Sequence, residues 1–123
     1  MARQNYELGL GIIEEHLDLA NAVADLAEDT FSADATRAIV DAKTPEKFPP
    51  FWKALVDYEL LGLHVAEELG GSGGGLTTLA VALEALGRHA LPGAFTPTVL
   101  ASALLEAAGG DAAVLVPPPR ASA

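Results

Sequence analysis

The stretch HVAEELGGSGGGLTTLAVALEALGR, residues His64–Arg88, places five glycines and one serine between an acidic pair and a leucine-rich run. Three interpretations of Gly70–Gly75 compete: a phosphate-binding loop, the turn that presents a nucleophilic serine, and a structural turn that starts a helix. The first two need particular residues elsewhere in the chain, so the surrounding sequence decides between them.

Neither chemical interpretation finds its partners. Gly70–Gly74 matches G-x-S-x-G around Ser72, but that motif needs a preceding strand, then an acid, then a histidine. Here His89 comes before Asp111, and Glu84 and Glu106 cannot complete the motif without a sheet. The phosphate loop would need a lysine at position 76, which is leucine. The residues therefore predict a structural turn, in which glycines supply positive-φ conformations, and no hydrolase activity at Ser72.

Composition narrows the function further. The 123 residues are 50% hydrophobic and only 6% aromatic, carry a net charge of −10 and include no cysteine. A surface this acidic repels phosphate backbones and anionic lipids, so nucleic-acid and membrane-surface binding are not expected. No apolar stretch is long enough to span a bilayer, and a soluble cytoplasmic protein is the default expectation. The three histidines, His16, His64 and His89, lack the spacing of metal ligands, so we expect no metal site and place them at the surface or an interface.

Hydrophobic periodicity predicts an all-α fold, a compact bundle of four to five helices. Predicted helices cover about Leu8–Phe31, Ala33–Ala42 with Ser32 as N-cap, Phe51 to about Leu61, Leu76 to about His89, and a last helix with Thr96 as N-cap, Pro97 in its first position and Gly109–Gly110 at its end. The first helix buries Ile13, Leu17, Ala20, Ala24, Ala27 and Phe31; the fourth buries Leu76, Leu79, Ala80, Leu83 and Leu86.

Several smaller expectations accompany this reading. Lys43–Pro50 breaks the chain between helices, Leu63–Val65 is extended, and Trp52 is a core anchor. Glu84 and Arg88 are spaced for an ion pair. No helix is apolar all round. The basic residues Arg37, Lys43, Lys47 and Lys53 are expected in solvent.

As a continuous string, Trp52–Arg88 resembles the N-terminal helical domain of acyl-CoA dehydrogenases. The resemblance lies in Leu61-Gly62-Leu63, in Glu67-Glu68-Leu69-Gly70-Gly71 and in Glu84-Ala85-Leu86-Gly87-Arg88, and it continues through Pro92–Gly110. It covers roughly Leu8 to Gly110. Ala66 stands where the family commonly has proline, and Leu69 where an aromatic residue is common.

The resemblance implies a FAD-dependent oxidoreductase that dehydrogenates an acyl-CoA thioester between its α and β carbons. It implies a helical domain at residues 1–110, an irregular tail at 111–123, and a middle β-domain and C-terminal helical domain that are absent from this chain. The family's catalytic glutamate and most of its flavin contacts lie in those two domains. We therefore expect no catalytic residue here, no stable retention of FAD and no activity in isolation; a truncated gene or altered reading frame would produce such an ending. Whether the chain is itself an enzyme stays open.

By position, the resemblance nominates the last helix as one wall of the acyl pocket, through Phe95, Thr96, Val99, Ser102 and Ala103. These residues are mostly small and apolar, as an acyl chain requires, but they would serve equally well to pack the bundle, and both interpretations stay open. The implied partners are the acyl-CoA substrate in the complete enzyme and dehydrogenase chains in a homo- or hetero-oligomer. The alternative is a non-enzymatic helical module that docks on a partner chain.

Overall fold

The computed structural model describes residues 11–42, 50–91 and 93–116, apart from the side chains of residues 50, 113 and 115. Within this part the fold is all-α, as predicted, and no strand is present. Five α-helices run α1 Glu14–Thr30, α2 Ala33–Asp41, α3 Pro50–Asp57, α4 Gly75–Gly87 and α5 Phe95–Ala107; short 3-10 turns cover Leu60–Gly62, Glu67–Leu69 and Ala112–Leu115. The predicted tail is therefore helical in part, and residues 117–123 lie outside the described region.

The core forms where α1 packs on α4, and α3 also contacts α1. α5 adds Phe95 and Val99 to the same buried cluster and contacts the 3-10 turn Leu60–Gly62. Alanines on both helices, among them Ala27 and Ala82, are fully buried, which lets the two backbones approach closely. At one end of the core, the rings of Phe31 and Phe51 meet edge to face with centroids 4.9 Å apart, a favourable aromatic geometry. Trp52 is only partly buried against this core, so Phe51 is the main aromatic anchor of α3.

The two N-terminal helices differ in how well the sequence predicted them. Ser32 caps α2 as expected: its hydroxyl accepts a hydrogen bond from the Ala35 amide at 3.2 Å. α1 begins later than predicted because Gly11 has a φ of +83°, outside the helical region. Its first turn is closed by His16, whose Nδ1 accepts the Ile13 amide at 3.2 Å. Ala20, Ala27 and Phe31 are buried as predicted, but Ile13 is exposed.

α3 ends four residues before its predicted end. Glu59 adopts a left-handed conformation with φ of +57°, which stops the α-helix and starts a tighter turn. Leu60 and Leu61 are consecutive, and both are buried; a regular exposed helix would bury one side only. Leu63 then lies in the right-handed helical region instead of the predicted extended one.

On α4 the predicted buried stripe was partly wrong. Leu79 and Leu86 are buried, but Leu76 is 68% exposed and Ala80 is also exposed, while Leu83 is half-buried. The other buried residues of this helix are Val81, Ala82 and Ala85. Nearly every residue of this helix is apolar, so periodicity does not identify the buried face. The Glu84–Arg88 ion pair is present at 3.4 Å.

α5 begins before the predicted N-cap Thr96. Gly93 has a φ of +102°, and Ala94 takes the N-cap position, with its carbonyl accepting the Thr98 hydroxyl at 2.6 Å. Pro97 is then the third helical residue. The amides of the first turn have no acceptor within the helix, so the amide hydrogen that proline lacks costs the helix no hydrogen bond. Gly109, with φ of +76°, ends the helix as predicted.

Candidate functional site

The glycine run is a structural turn in which the amides are already used. Hydrogen bonds run from Gly70 to Glu67, from Gly71 to Ala66, from Ser72 to Gly62, from Gly73 to Val65 and from Gly74 to Leu63, at donor–acceptor distances of 2.8–3.1 Å. A phosphate cradle needs these N–H groups pointing at its ligand. The loop instead ties the start of α4 to the turn that follows α3.

Ser72 lacks the surroundings of a nucleophile. It is exposed, and no strand precedes it within the described residues. No histidine hydrogen bond to its hydroxyl is found in that part of the chain, whereas a serine nucleophile needs a base within reach. The turn interpretation from the sequence is the one that agrees with this geometry.

A buried polar cluster joins the segment after α3 to α5. His64 is 7% exposed, and its Nε2 lies 2.8 Å from the Ser102 hydroxyl. That hydroxyl also donates to the Val99 carbonyl at 2.9 Å. Two residues along, the Ala66 amide donates to Glu106 Oε1 at 3.2 Å. These contacts fix the face of α5 that points into the bundle.

The protonation state of His64 follows from these bonds. Because the single Ser102 hydroxyl proton is given to Val99, Nε2 of His64 carries the hydrogen and donates to Ser102. Nδ1 is then an acceptor, and it is buried with no hydrogen-bond partner among the described residues. Burial lowers the pKa of His64 below its ordinary 6.5, opposed by the negative charge of Glu106 and by the polar backbone of Val99. The imidazole is therefore neutral near pH 7, and the prediction that His64 lies at a surface or interface was wrong.

The cluster contains a serine, a histidine and a glutamate, but it is not a catalytic triad. In a triad the acid binds the histidine nitrogen opposite the serine. Here that nitrogen, Nδ1, has no partner in the described region, and Glu106 accepts the Ala66 amide instead. Ser102 is 1% exposed, so a substrate has no access to its hydroxyl. The arrangement supports a positioning role for α5.

The five nominated pocket residues are divided between two sides of α5. Phe95, Val99 and Ser102 are buried in the bundle, whereas Thr96 is exposed and Ala103 half-buried. Their role as a pocket wall stays a prediction. The sequence had no local signal for His64 and Glu106, because their partners lie 38 and 40 residues away along the chain.

The outer side of α5 carries three leucines with accessible surface beside the exposed Thr96. Leu100 and Leu104 are 52% and 72% exposed, and Leu105 is 38% exposed. Glu106 is the helix's only charged residue, and it lies on the inner side with the polar cluster. This helix therefore presents leucine to solvent on one face while its other face fills the core.

Two further predictions concern metal and membrane. No group of three or more potential metal ligands occurs among the residues that the structure describes. In the same region no helix combines the length and the apolar character needed to cross a bilayer.

The described residues thus define an all-α domain in which a buried polar cluster positions one helix, α5, that also exposes leucines to solvent. The model of the family described as acyl-CoA dehydrogenase, N-terminal domain, matches residues 13–113, so the chain belongs to this family. One similar protein is the acyl-CoA dehydrogenase IpdE2 of Mycolicibacterium smegmatis, 35% identical over 97 residues. The alignment covers 78% of this chain but 31% of that relative, so the chain spans about a third of the relative's length. No solved structure gives a significant match.

Proposed function

We propose that the chain is the N-terminal domain of a FAD-dependent, acyl-CoA dehydrogenase-like oxidoreductase, which acts with further dehydrogenase domains to desaturate an acyl-CoA thioester. The observation that carries the proposal is the family match over residues 13–113. In this proposal the chain supplies one wall of the acyl pocket and is inactive alone, since in the family the catalytic base and most of the flavin contacts belong to the other domains.

The geometry of α5 supports a wall on its accessible side. Thr96 and Ala103 are the nominated residues with accessible surface, and both lie beside the exposed Leu100. Phe95, Val99 and Ser102 are buried on the opposite side of the helix and anchor it in the bundle. A wall of this kind keeps water from the acyl chain and sets the width of the pocket.

FAD enters this proposal through the family, and we assign no FAD contact to this chain. The pyrophosphate of FAD needs clustered N–H donors or cations. The amides of the glycine run do not fit that need, because they donate to backbone carbonyls. When bound in the complete enzyme, the flavin would accept the hydride.

A chimera tests the proposal. The chain's residues 13–113 would replace the matching segment of the Mycolicibacterium smegmatis relative, and turnover would be measured with an acyl-CoA that the unaltered relative oxidises. We expect the chimera to retain flavin and to reduce an electron acceptor, whereas the isolated chain mixed with FAD and the same acyl-CoA does neither. A chimera that binds FAD but does not oxidise the thioester would overturn the proposal, as would a yellow, active preparation of the isolated chain.

Within the chimera, Ala103→Trp tests the pocket wall. The indole would narrow the pocket, so kcat/KM should fall more for long acyl chains than for short ones. Leu76→Trp is the matched control, because Leu76 is also exposed but lies on α4. If the two substitutions changed kcat/KM equally for each chain length, α5 would not line the acyl pocket.

The exposed leucines of α5 favour a second candidate, a helical docking module that binds a dehydrogenase chain. An apolar patch on an acidic surface promotes association. Light scattering after size exclusion would compare the chain with Leu104→Gln and with Leu76→Gln, two leucines of similar exposure at 72% and 68%. We expect association that Leu104→Gln weakens and Leu76→Gln leaves intact; a clean monomer that binds no neutral hydrophobic dye would contradict the docking role.

A further inference from the structure

An open groove of about 490 Å³ lies between α2 and the C-terminal end of α4. Its volume falls in the range of roughly 300–1,000 Å³ that is typical of small-molecule sites. Val40, Ala33 and Ala90 give it an accessible apolar surface, while Arg37, Arg88 and His89 supply polar nitrogen groups. Val40 is 73% exposed although it is apolar. No residue of α5 lines the groove, so it is separate from the proposed acyl wall.

The charge of this groove is opposite to that of the whole chain. The net charge is −10, yet no aspartate or glutamate is among the described lining residues. The described part of the chain has three lysines and arginines, Arg37, Lys53 and Arg88, and two of them line the groove. This placement of positive charge favours the binding of an anion in the groove.

Acidic neighbours limit how much negative charge the groove can accept. Asp34 lies 3.9 Å from Arg37, and Glu84 lies 3.4 Å from Arg88. Both ion pairs are exposed, and such pairs contribute little stability, so a ligand can compete with them. The same carboxylates would repel a dianion more strongly than a monoanion.

Thr36 adds an unused hydrogen-bonding group. It lines the groove, and its hydroxyl oxygen is buried without a hydrogen-bond partner in the described region. A threonine in a helix has two favoured χ1 rotamers, so a rotamer change can turn the hydroxyl toward a bound oxyanion. Leaving a buried hydroxyl unpaired is costly, and a ligand that satisfied it would recover that cost.

We propose that this groove is a second ligand site, which binds a monocarboxylate with an apolar chain. Arg37 and Arg88 hold the carboxylate, and Thr36 donates to one of its oxygens. The apolar chain lies on Val40, between Ala33 and Ala90. Guanidinium groups suit this role because their fixed N–H geometry matches a carboxylate.

The test is an NMR titration of the ¹⁵N-labelled full chain with octanoate. Amide shifts should concentrate on α2 and on residues 88–90, with half-saturation on the order of a millimolar for a ligand of this size. Octanamide, which lacks the charge, should bind at least about 5-fold more weakly, because a hydrogen bond to a charged group is about twice as strong as a neutral one. Octyl phosphate should also bind more weakly than octanoate. Tighter binding of octyl phosphate, equal binding of octanamide, or shifts centred on Leu100 and Leu104 would each overturn the proposal.

Arg88→Gln and Lys53→Gln form a matched pair of variants. Each removes one positive charge from an exposed pair at i,i+4 spacing, but only Arg88 lines the groove. Arg88→Gln should weaken octanoate binding by about 10-fold, as expected for loss of a charge-assisted hydrogen bond, and Lys53→Gln should leave it unchanged. Equal loss in both variants would show a general charge effect and contradict a defined site. Because the readout is octanoate binding by the chain alone, its failure is distinguishable from failure of the dehydrogenase proposal.

Discussion

His64 is the residue whose role the sequence concealed most completely. Its immediate neighbours, Leu63 and Val65, are both buried, so local hydropathy offers no reason to place a polar ring between them. The reason is the Ser102 hydroxyl on α5, 38 residues away. A buried polar group is tolerated when it is hydrogen-bonded, and only the tertiary structure brings this partner to it.

Lowering the pH should destabilise the fold through His64. Its folded-state pKa lies below the ordinary 6.5 because of burial. As the pH falls through 6.5, the unfolded chain therefore takes up a proton that the folded chain does not, and the free energy of unfolding decreases. Denaturant titrations at several pH values between about 7.5 and 5.5 would measure this slope.

His64→Gln should flatten that pH dependence, because glutamine does not titrate and its amide can reach the Ser102 hydroxyl. His89→Gln is the control for replacing a histidine by glutamine outside the polar cluster, because His89 is half-buried just after α4. A His64→Gln protein with the full pH dependence of the parent would mean that other groups cause it.

Gly71 is a residue for which only glycine fits. A Cβ atom built there would lie 2.1 Å from the Val65 carbonyl oxygen, far inside contact distance. Gly71→Ala should therefore lower the free energy of unfolding by at least about 2 kcal/mol.

The control for this substitution is Gly87→Ala. A Cβ at Gly87 meets no atom within 4 Å, and Gly87 lies in the last turn of α4. Alanine there should be neutral or stabilise by up to about 1 kcal/mol, because it is the better helix former. If the two variants unfolded at the same denaturant concentration, the glycine run would not be as closely packed against Val65 as described.

At the scale of elements, the sequence predicted helices well where a cap or a stop is chemically specific. α2 follows its Ser32 cap, and α5 ends at Gly109. The sequence prediction failed where an ordinary residue takes an unusual backbone conformation, as the left-handed Glu59 does. It also failed where most residues of a helix are apolar, as in α4. Periodicity locates a buried face only when a polar face exists to contrast with it.

α5 illustrates the same difficulty and allows a direct test. Val99 is fully buried and Leu104 is 72% exposed, although the sequence makes both look like core residues. Val99→Ala should destabilise the fold by about 2 kcal/mol, because it removes buried carbon and leaves a cavity. Leu104→Ala should change stability by no more than about 0.5 kcal/mol. Equal losses measured by chemical denaturation would mean that α5 is rotated from the orientation described.

At the scale of the whole molecule, the resemblance to a family predicted more than the composition did. The chain's membership follows from a string of turns and helices over residues 13–113, whereas its acidity alone led only to the expectation that it does not bind nucleic acid or membrane surfaces. The candidate wall was predicted as one set of residues but lies on two sides of α5. The position of a helix along the chain does not specify how the helix is rotated about its own axis. The fold was therefore needed to find which of the nominated pocket residues are accessible.

The net charge of −10 should make the fold sensitive to salt in a definite direction. Three ion pairs occur among the described residues, all with exposed or partly exposed partners, and salt weakens such pairs only slightly because they contribute little. The excess of negative charge repels itself more in the compact state than in the unfolded chain. Raising NaCl from 10 to 150 mM shortens the Debye length from about 30 to about 8 Å, so the repulsion is screened and Tm should rise. Thermal unfolding followed by circular dichroism would measure the change, and NaCl avoids the preferential exclusion that sulfate would add. A fall in Tm would show that the ion pairs outweigh the net charge.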